Sequence, residues 1–375
     1  MTMNSPIPTS TLSLDRQLLS DVQYNCDVSD ARDHGIYSMC SMVLKLRNLY
    51  KWEQGVEPWN EPESAELLDW IDAKEQYWES LSNQSYRPIE INNNTYDPFD
   101  VDAINRVQAR DNHYYGAGFG RSMKSIFFIA QKTDALEVEG CPVLLLGTEP
   151  VREMASPFAM AQDGIILIRT EPLRFFLWDH IQELQSSCRS AFRYTLTSYG
   201  LLKNGVLDQQ QFKEVLSDMV SQEMGLFIHH EVGEVLQKTL ESSTLQAIIG
   251  RFPSSVIEFV CRAVKDILAD THPRGVLSYI TREQKDTSLG LYVSFLDGLR
   301  KELFPEMFEA WDQFTQSNKW GCIEQARLDC RRRSLELGEK ITEIAASIDR
   351  QPDDQVHNQF NDQILEPLGL GVPRS

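Results

Sequence analysis

Residues 124–170 read KSIFFIAQKTDALEVEGCPVLLLGTEPVREMASPFAMAQDGIILIRT, and they set the fold class. Three short apolar runs, at 126–130, 143–146 and 165–168, are bounded by Gly, Pro, Asp or Thr and have the length of β-strands. The links between them are too short for helical crossovers, except around 151–155. The segment therefore predicts a small and mostly antiparallel sheet.

Helical patterns lie on both sides of this segment. Before it, caps at Ser13 and at Ser29 or Asp30, and an amphipathic pattern from about 63 to 81, predict three helices. After Pro172 the pattern stays helical to the end of the chain. The helices expected there are at about 172–199, 208–223, 225–240, 243–250, 254–270, 275–284, 287–302, 305–317, 321–349 and 354–365.

Strands and helices are thus segregated along the chain, which predicts a predominantly helical α+β protein. We expect a helical N-terminal arm, a small mostly antiparallel sheet in the middle and a large helical C-terminal half. The predicted organisation is a flexible leader at 1–11, a unit of helical arm plus β-sheet at 12–171, and an all-helical domain at 172–375.

Composition narrows the classes of protein that the chain can be. Among its 375 residues, 55 are acidic and 36 basic, which gives a net charge of −19 and argues against partners such as nucleic acid or an anionic membrane. Seven cysteines without any C-x-x-C pair exclude a disulfide framework and a zinc knuckle. No apolar run reaches the length of a membrane span, and no secretory signal follows Arg16, the first basic residue. We therefore expect a cytoplasmic protein.

A glycine-rich segment, with Gly116, Gly118 and Gly120 followed by Arg121 and Lys124, is a candidate anion-binding loop. Glycines let backbone N–H groups approach a phosphate, and the two basic side chains would add charge. The pattern predicts a turn from a helix into a strand, the reverse of the dinucleotide-binding order, and no G-K-[ST] occurs. The alternative is a turn that packs against neighbouring aromatic rings.

A second candidate site is the segment EMGLFIHHEVGE at 223–234. On a helix, His230 and Glu234 are one turn apart and share a face, and Glu223 lies along the same stripe. With Glu231 as a further ligand or a base, this face could hold Fe, Mn or Zn against a facing helix. The segment also resembles half of a zinc-protease helix, with Glu in place of the second His.

The remaining ligands of such a metal would have to come from elsewhere in the chain. Suitable pairs at helical spacing are His180 with Glu183, and Asp266 with Asp270 near His272. The alternative is a solvated polar stripe without a metal.

Several phrases together resemble a bacterial family of uncharacterised proteins, a domain of unknown function. They are LRNLYKWE at 46–53, PW at 58–59, DPFD at 97–100, YGAGFGR at 115–121, HEVGE at 230–234 and FLDGLRKELFP at 295–305. The resemblance spans nearly the whole chain. It implies a bacterial origin and supplies no activity.

Two functions follow from these observations. The first is a noncatalytic protein-interaction or assembly subunit, without cofactor, that binds a protein partner or forms a homo-oligomer. The second is a metal-dependent enzyme or sensor with a His/Glu site between helices of the C-terminal half. Whether the chain is an enzyme is therefore left open by the sequence.

Overall fold

The computed structural model describes residues 15–108, 112–120, 123–184 and 190–371. The chain divides into two compact units. Unit 1 takes the described residues of Met1–Leu136 and Pro142–Glu183, and unit 2 takes those of Glu137–Cys141 and Leu184–Ser375. No described helix is both long enough and apolar enough to cross a membrane.

Unit 1 consists of a helical arm, a sheet and a helix that leaves the sheet. Its helices are α1 (Arg16–Asp33), α2 (Met39–Glu53), α3 (Ser64–Leu81), α4 (Val101–Val107) and α5 (Thr170–Leu184). Its strands are β1 (Ile89–Ile91), β2 (Asn94–Tyr96), β3 (His113–Phe119), β4 (Ser125–Val138), β5 (Cys141–Leu146), β6 (Val151–Arg152), β7 (Ala159–Gln162) and β8 (Ile165–Arg169).

The main sheet has the strand order β3-β4-β5-β8-β7, and β6 pairs with β4. The pairs β3–β4, β4–β6 and β7–β8 are antiparallel, whereas β5 and β8 run parallel. Helix α1 covers the sheet with Leu18, Val22 and Cys26, which join Phe127 and Ile129 in one buried cluster. This burial of apolar surface holds the helical arm on the sheet.

The described part of unit 2 from residue 190 onward contains helices and the short hairpin of β9 (Leu202–Lys203) and β10 (Val206–Leu207). Its helices are α6 (Ser190–Ser198), α7 (Gln209–Leu236), α8 (Ser242–Arg251), α9 (Val256–Asp270), α10 (Val276–Glu283), α11 (Asp286–Phe295), α12 (Gly298–Leu303), α13 (Glu306–Ser317), α14 (Gly321–Ala345) and α15 (Asp353–Phe360). Helix α7 packs against α9 and α10, and α9 also packs against α14.

The predicted fold class is confirmed: helices dominate, the sheet is small and mostly antiparallel, and the C-terminal half is helical. Several predicted boundaries are wrong. Ser29 and Asp30 do not cap a helix, because both are buried inside α1. Helix α7 runs without interruption through residue 224, where the sequence predicts a break between helices at 208–223 and 225–240. The helix expected at 287–302 is instead divided between α11 and α12.

Candidate metal centre

The site begins with an unusually close approach of two helix backbones in unit 2. A β-carbon added to Gly233 of α7 would lie 2.1 Å from the backbone oxygen of Ala269 on α9. Real side chains do not tolerate such a contact, so only glycine lets the two helices pack this closely here. The side chains on either side of Gly233, those of His230 and Glu234, are thereby brought against α9.

His230, Glu234 and Asp266 form the cluster that could hold a metal ion. Each offers one ligand atom, and these atoms all lie within 4.8 Å of one another. His230 Nε2 is 3.8 Å from Glu234 Oε1. One imidazole and two carboxylates are groups that coordinate divalent transition metals.

A buried carboxylate orients the imidazole of His230. Nδ1 of His230 lies 2.7 Å from Oδ1 of Asp270, so an N–H at Nδ1 donates to the carboxylate. The other oxygen of Asp270 accepts from the Tyr292 hydroxyl at 3.0 Å and from Nη2 of Arg300 at 2.6 Å. Metal-binding histidines are held in this way by a carboxylate on the far ring nitrogen. The arrangement turns Nε2 of His230 toward Glu234.

The site carries a dense set of charges that shift each other's pKa. Burial disfavours the charged imidazole, but the adjacent Asp270 carboxylate outweighs it and raises the pKa of His230 to about 10. Burial alone would raise the pKa of the Asp270 carboxyl, but the positive charges of Arg300 and His230 have the larger effect and lower it. Lys265 donates to Oε2 of Glu234 at 2.5 Å and, against burial, lowers the pKa of that carboxyl. Without a metal, the cluster is therefore an ion-pair network.

The ligand atoms are not sealed from solvent. The side chains of His230 and Glu234 are 24% and 22% exposed, whereas the supporting Asp270 is 1% exposed. A metal held here would thus have a buried supporting residue on one side and access to water on the other.

Family models match two segments that together cover most of the chain. The N-terminal domain of a family of unknown function, DUF6866, matches residues 17–169, and the C-terminal domain of the same family matches residues 174–363. The chain belongs to the DUF6866 family. Searches of curated proteins and of solved structures found no match. The cluster of His230, Glu234 and Asp266 lies in the DUF6866 C-terminal domain.

Two of the residues predicted as ligands in this DUF6866 protein lie outside the cluster. Glu223 is held by Tyr199, Thr287 and Ser288, whose hydroxyl groups all donate to its carboxylate. Its position along α7, two turns from His230, puts it about 10 Å away along the helix axis. Glu223 is therefore not brought together with His230, Glu234 and Asp266.

Glu231 is a neighbour of the cluster and not one of its three members. Its side chain is buried, at 7% exposure, on a different face of α7 from His230. Burial, and then the charge of Glu234, raise the pKa of Glu231. It is positioned to influence the charge of the cluster and does not supply a ligand atom to it.

Of the pairs considered for completing the metal shell, Asp266 and Asp270 of α9 lie at the cluster. Asp266 is the third member of the cluster, and Asp270 is hydrogen-bonded to His230. His180 belongs to unit 1, whereas the cluster belongs to unit 2. The side chain of Glu183 lies outside the described residues.

The expected glycine-rich turn is wrong, because Gly116 and Gly118 lie within strand β3. A β-carbon on Gly116 would come within 2.2 Å of the Phe128 ring of β4, so the glycine makes room for an aromatic side chain. Just after the strand, the N–H of Gly120 donates to the backbone oxygen of Lys124 at 2.8 Å, and the oxygen of Gly120 accepts from the N–H of Met123 at 3.2 Å. The glycines therefore serve sheet packing.

The two basic residues of the expected anion loop do not support it either. Lys124 is buried, at 1% exposure, and its Nζ donates to Asp30 at 2.8 Å and to the Ser29 hydroxyl at 2.9 Å. Its charge is thus used within unit 1. Arg121 lies outside the described residues.

Three groups that support the site were not predicted from the sequence: Lys265, Tyr292 and Arg300. Lys265 directly precedes Asp266 on the same helix, so its presence near the site could have been predicted from the sequence. Tyr292 and Arg300 come from α11 and α12, and only the tertiary packing brings them to Asp270.

Proposed function

We propose that this protein binds one divalent transition-metal ion between α7 and α9, and that it acts as a metal-dependent enzyme or sensor. The observation that carries the proposal is the convergence of His230, Glu234 and Asp266 within 4.8 Å. Helical spacing had predicted only that His230 and Glu234 share a face of one helix. Asp270 strengthens it, since this carboxylate fixes the ring of His230 from the opposite side.

The donor set favours particular metals. Imidazole nitrogen suits Zn and Fe better than Ca or Mg, which prefer oxygen alone, and the two carboxylates of the cluster also suit Mn. Three protein ligands leave at least one coordination position for water or a small ligand, as metal sites with a chemical role do. The partial exposure of His230 and Glu234 is consistent with that open position.

Binding must rearrange the charges now present. A ligating imidazole is neutral at the metal-bound nitrogen, so the ion has to displace a proton from His230. It also competes with Lys265 for Glu234, whose Oε2 accepts from Nζ at 2.5 Å. The added positive charge of the metal would offset both losses next to two carboxylates.

Elemental analysis of tag-free protein, followed by calorimetric titration with Zn²⁺, Mn²⁺ and Fe²⁺, tests the proposal. We expect one ion per chain and a loss of binding in His230→Gln and Asp266→Asn. His357→Gln is the control, because His357 is an exposed histidine of the same unit. Failure of all three metals to bind the folded wild-type protein would contradict the proposal, and the cluster would then be an ion-pair network only.

A noncatalytic role in protein interaction or assembly is the second candidate, and one observation favours it. Met39 and Val43, one turn apart on α2, are 80% and 45% exposed, which is unusual for apolar side chains at adjacent positions of a helix face. Light scattering of wild type and of Met39→Lys/Val43→Lys would test it. A monomeric mass unchanged by the double variant would argue against self-association. A cytoplasmic setting and a bacterial origin stay predictions.

A further inference from the structure

A lysine ammonium is bound to one carboxylate of the His230, Glu234 and Asp266 cluster. Nζ of Lys265 donates to Oε2 of Glu234 at 2.5 Å, while Oε1 of the same carboxylate lies 3.8 Å from Nε2 of His230. Asp266 accepts no hydrogen bond from any residue that the structure describes. Within the described part of the chain, the ammonium of Lys265 is thus the cation closest to Glu234.

This ammonium and a metal ion would compete for Glu234. Two cations on the same partly buried carboxylate repel each other more strongly than they would in water. Lys265 is only 7% exposed, so solvent and salt screen its charge weakly. A divalent ion on Glu234 therefore favours movement of the ammonium away from Oε2.

A second carboxylate stands close enough to receive the displaced ammonium. Glu231 and Glu234 are three residues apart on α7, and side chains at that spacing are neighbours on a helix. Glu231 is 7% exposed and has no hydrogen-bond donor among the described residues. Burial, and then Glu234, raise the pKa of Glu231, whereas the charge of Lys265 opposes the rise and so already acts on this carboxyl.

We propose that Lys265 is an autoinhibitory residue of the metal centre, which holds Glu234 in the metal-free protein and moves to Glu231 when the ion binds. The inference rests on the proposed function, and it gives Glu231 the role of receiving the ammonium. The flexible stem of lysine permits the movement, and the transfer avoids a buried charge without a partner. Competition by Lys265 makes the ion easier to release, which fits a sensor better than an enzyme that keeps its metal.

Calorimetric titration of wild type and Lys265→Met with Zn²⁺ tests the competition. Methionine is of similar length and carries no charge, so we expect Zn²⁺ to bind about tenfold to a hundredfold more tightly, as expected when one charge-assisted hydrogen bond no longer competes. Lys238→Met is the control and should leave the affinity unchanged, because Lys238 is exposed and donates to a backbone oxygen just after α7. A lysine that supported the bound metal would have the opposite effect, so weaker or unchanged Zn²⁺ binding in Lys265→Met overturns the proposal.

Glu231→Gln tests the transfer of the ammonium. In the wild-type background it deprives Lys265 of its second carboxylate, and we expect the Zn²⁺ affinity to fall about tenfold. In the Lys265→Met background there is no ammonium to receive, so the same substitution should have a much smaller effect. Equal effects in the two backgrounds would mean that Glu231 acts on the metal directly, and they would overturn the transfer.

Two further comparisons keep the outcomes separate. If Lys265→Met does not fold, Lys265→Gln, which also lacks the charge, takes its place with the same expected gain in affinity. Zn²⁺ binding by wild type without a gain in the uncharged variant would refute only the role of Lys265. Absence of Zn²⁺ binding in wild type and in the variant alike would refute the metal centre itself, and this inference with it.

Discussion

His230 shows how one side chain can serve two roles, depending on what binds its second nitrogen. Its Nδ1 is tied to Asp270, which in turn is held by Tyr292 and Arg300. With a proton on Nε2, the imidazole is a cation within an ion-pair network. With the proposed metal on Nε2, the same ring would be a neutral ligand whose orientation is already fixed.

Asp270→Asn tests the supporting carboxylate. The amide cannot stabilise the ring as the carboxylate does, so we expect the affinity for Zn²⁺ or Mn²⁺ to fall about tenfold to a hundredfold. Calorimetric titration measures the change, with Asp329→Asn on the exposed side of α14 as the control. Unchanged metal affinity in a folded Asp270→Asn variant would show that Asp270 does not contribute to metal binding.

Asp27 of α1 gives a pH-dependent prediction in unit 1. Burial raises its pKa from 3.8 to about 6, although Lys74 opposes the shift. The native state therefore binds the proton more tightly than the unfolded chain. The stability associated with Asp27 is fully present below pH 4 and is lost as the pH rises through 6.

Asp27→Asn should remove that loss. We expect the variant to be more stable than wild type at pH 7, by up to about 3 kcal/mol, and nearly equal to it below pH 4. Urea unfolding at a series of pH values checks this, with the exposed Asp72→Asn as the control. A variant that is less stable than wild type at pH 7 would mean that the ion pair with Lys74, at 3.8 Å, outweighs burial.

At the scale of the elements, the packing of α7 on α9 depends on a missing side chain. Gly233→Ala would place a β-carbon 2.1 Å from the backbone oxygen of Ala269. We expect a loss of about 1–3 kcal/mol in the free energy of unfolding, together with weaker metal binding, because the helices must separate.

The control for that substitution is Gly250→Ala. Gly250 lies in helix α8 of the same unit, and nothing lies within 4 Å of the β-carbon it would gain. Alanine favours helix over glycine, so Gly250→Ala should be neutral or slightly stabilising. Thermal and urea unfolding of the two variants compare them directly, and equal effects at both positions would show that the close approach has no energetic weight.

The elements also show which features can be predicted from sequence. The runs at 126–130, 143–146 and 165–168 were recognisable as strands because apolar side chains lie between turn residues. Strand β3 was missed because Gly116 and Gly118 are typical of turns, and their reason for being glycine, the Phe128 ring across the sheet, is a long-range contact.

The candidate site, too, could be predicted from the sequence only in part. Spacing of four residues predicted that His230 and Glu234 share a face of α7, and that Asp266 and Asp270 share a face of their helix. It could not predict that these two faces meet, or that Arg300 and Tyr292 support Asp270, since both facts depend on packing between elements distant in sequence.

At the scale of the whole molecule, the net charge of −19 is large for 375 residues. Like charges repel in the compact state, and dissolved salt screens that repulsion within a Debye length of about 8–10 Å at 0.1–0.15 M. We therefore expect the melting temperature to rise from low salt to about 0.15 M NaCl. Calorimetry without added metal measures it, and a fall over this range would mean that attractive pairs dominate.

The peptide group of Ala269 has a further consequence, for the sequences that this fold can accept. Its oxygen would be only 2.1 Å from a β-carbon at Gly233 and 2.2 Å from one at Gly275. Both glycines are thus fixed by the same carbonyl, from opposite directions along the chain. A saturation mutagenesis library selected for folded protein should therefore retain glycine at both positions. This one carbonyl would thus keep two distant positions of the chain from changing during evolution.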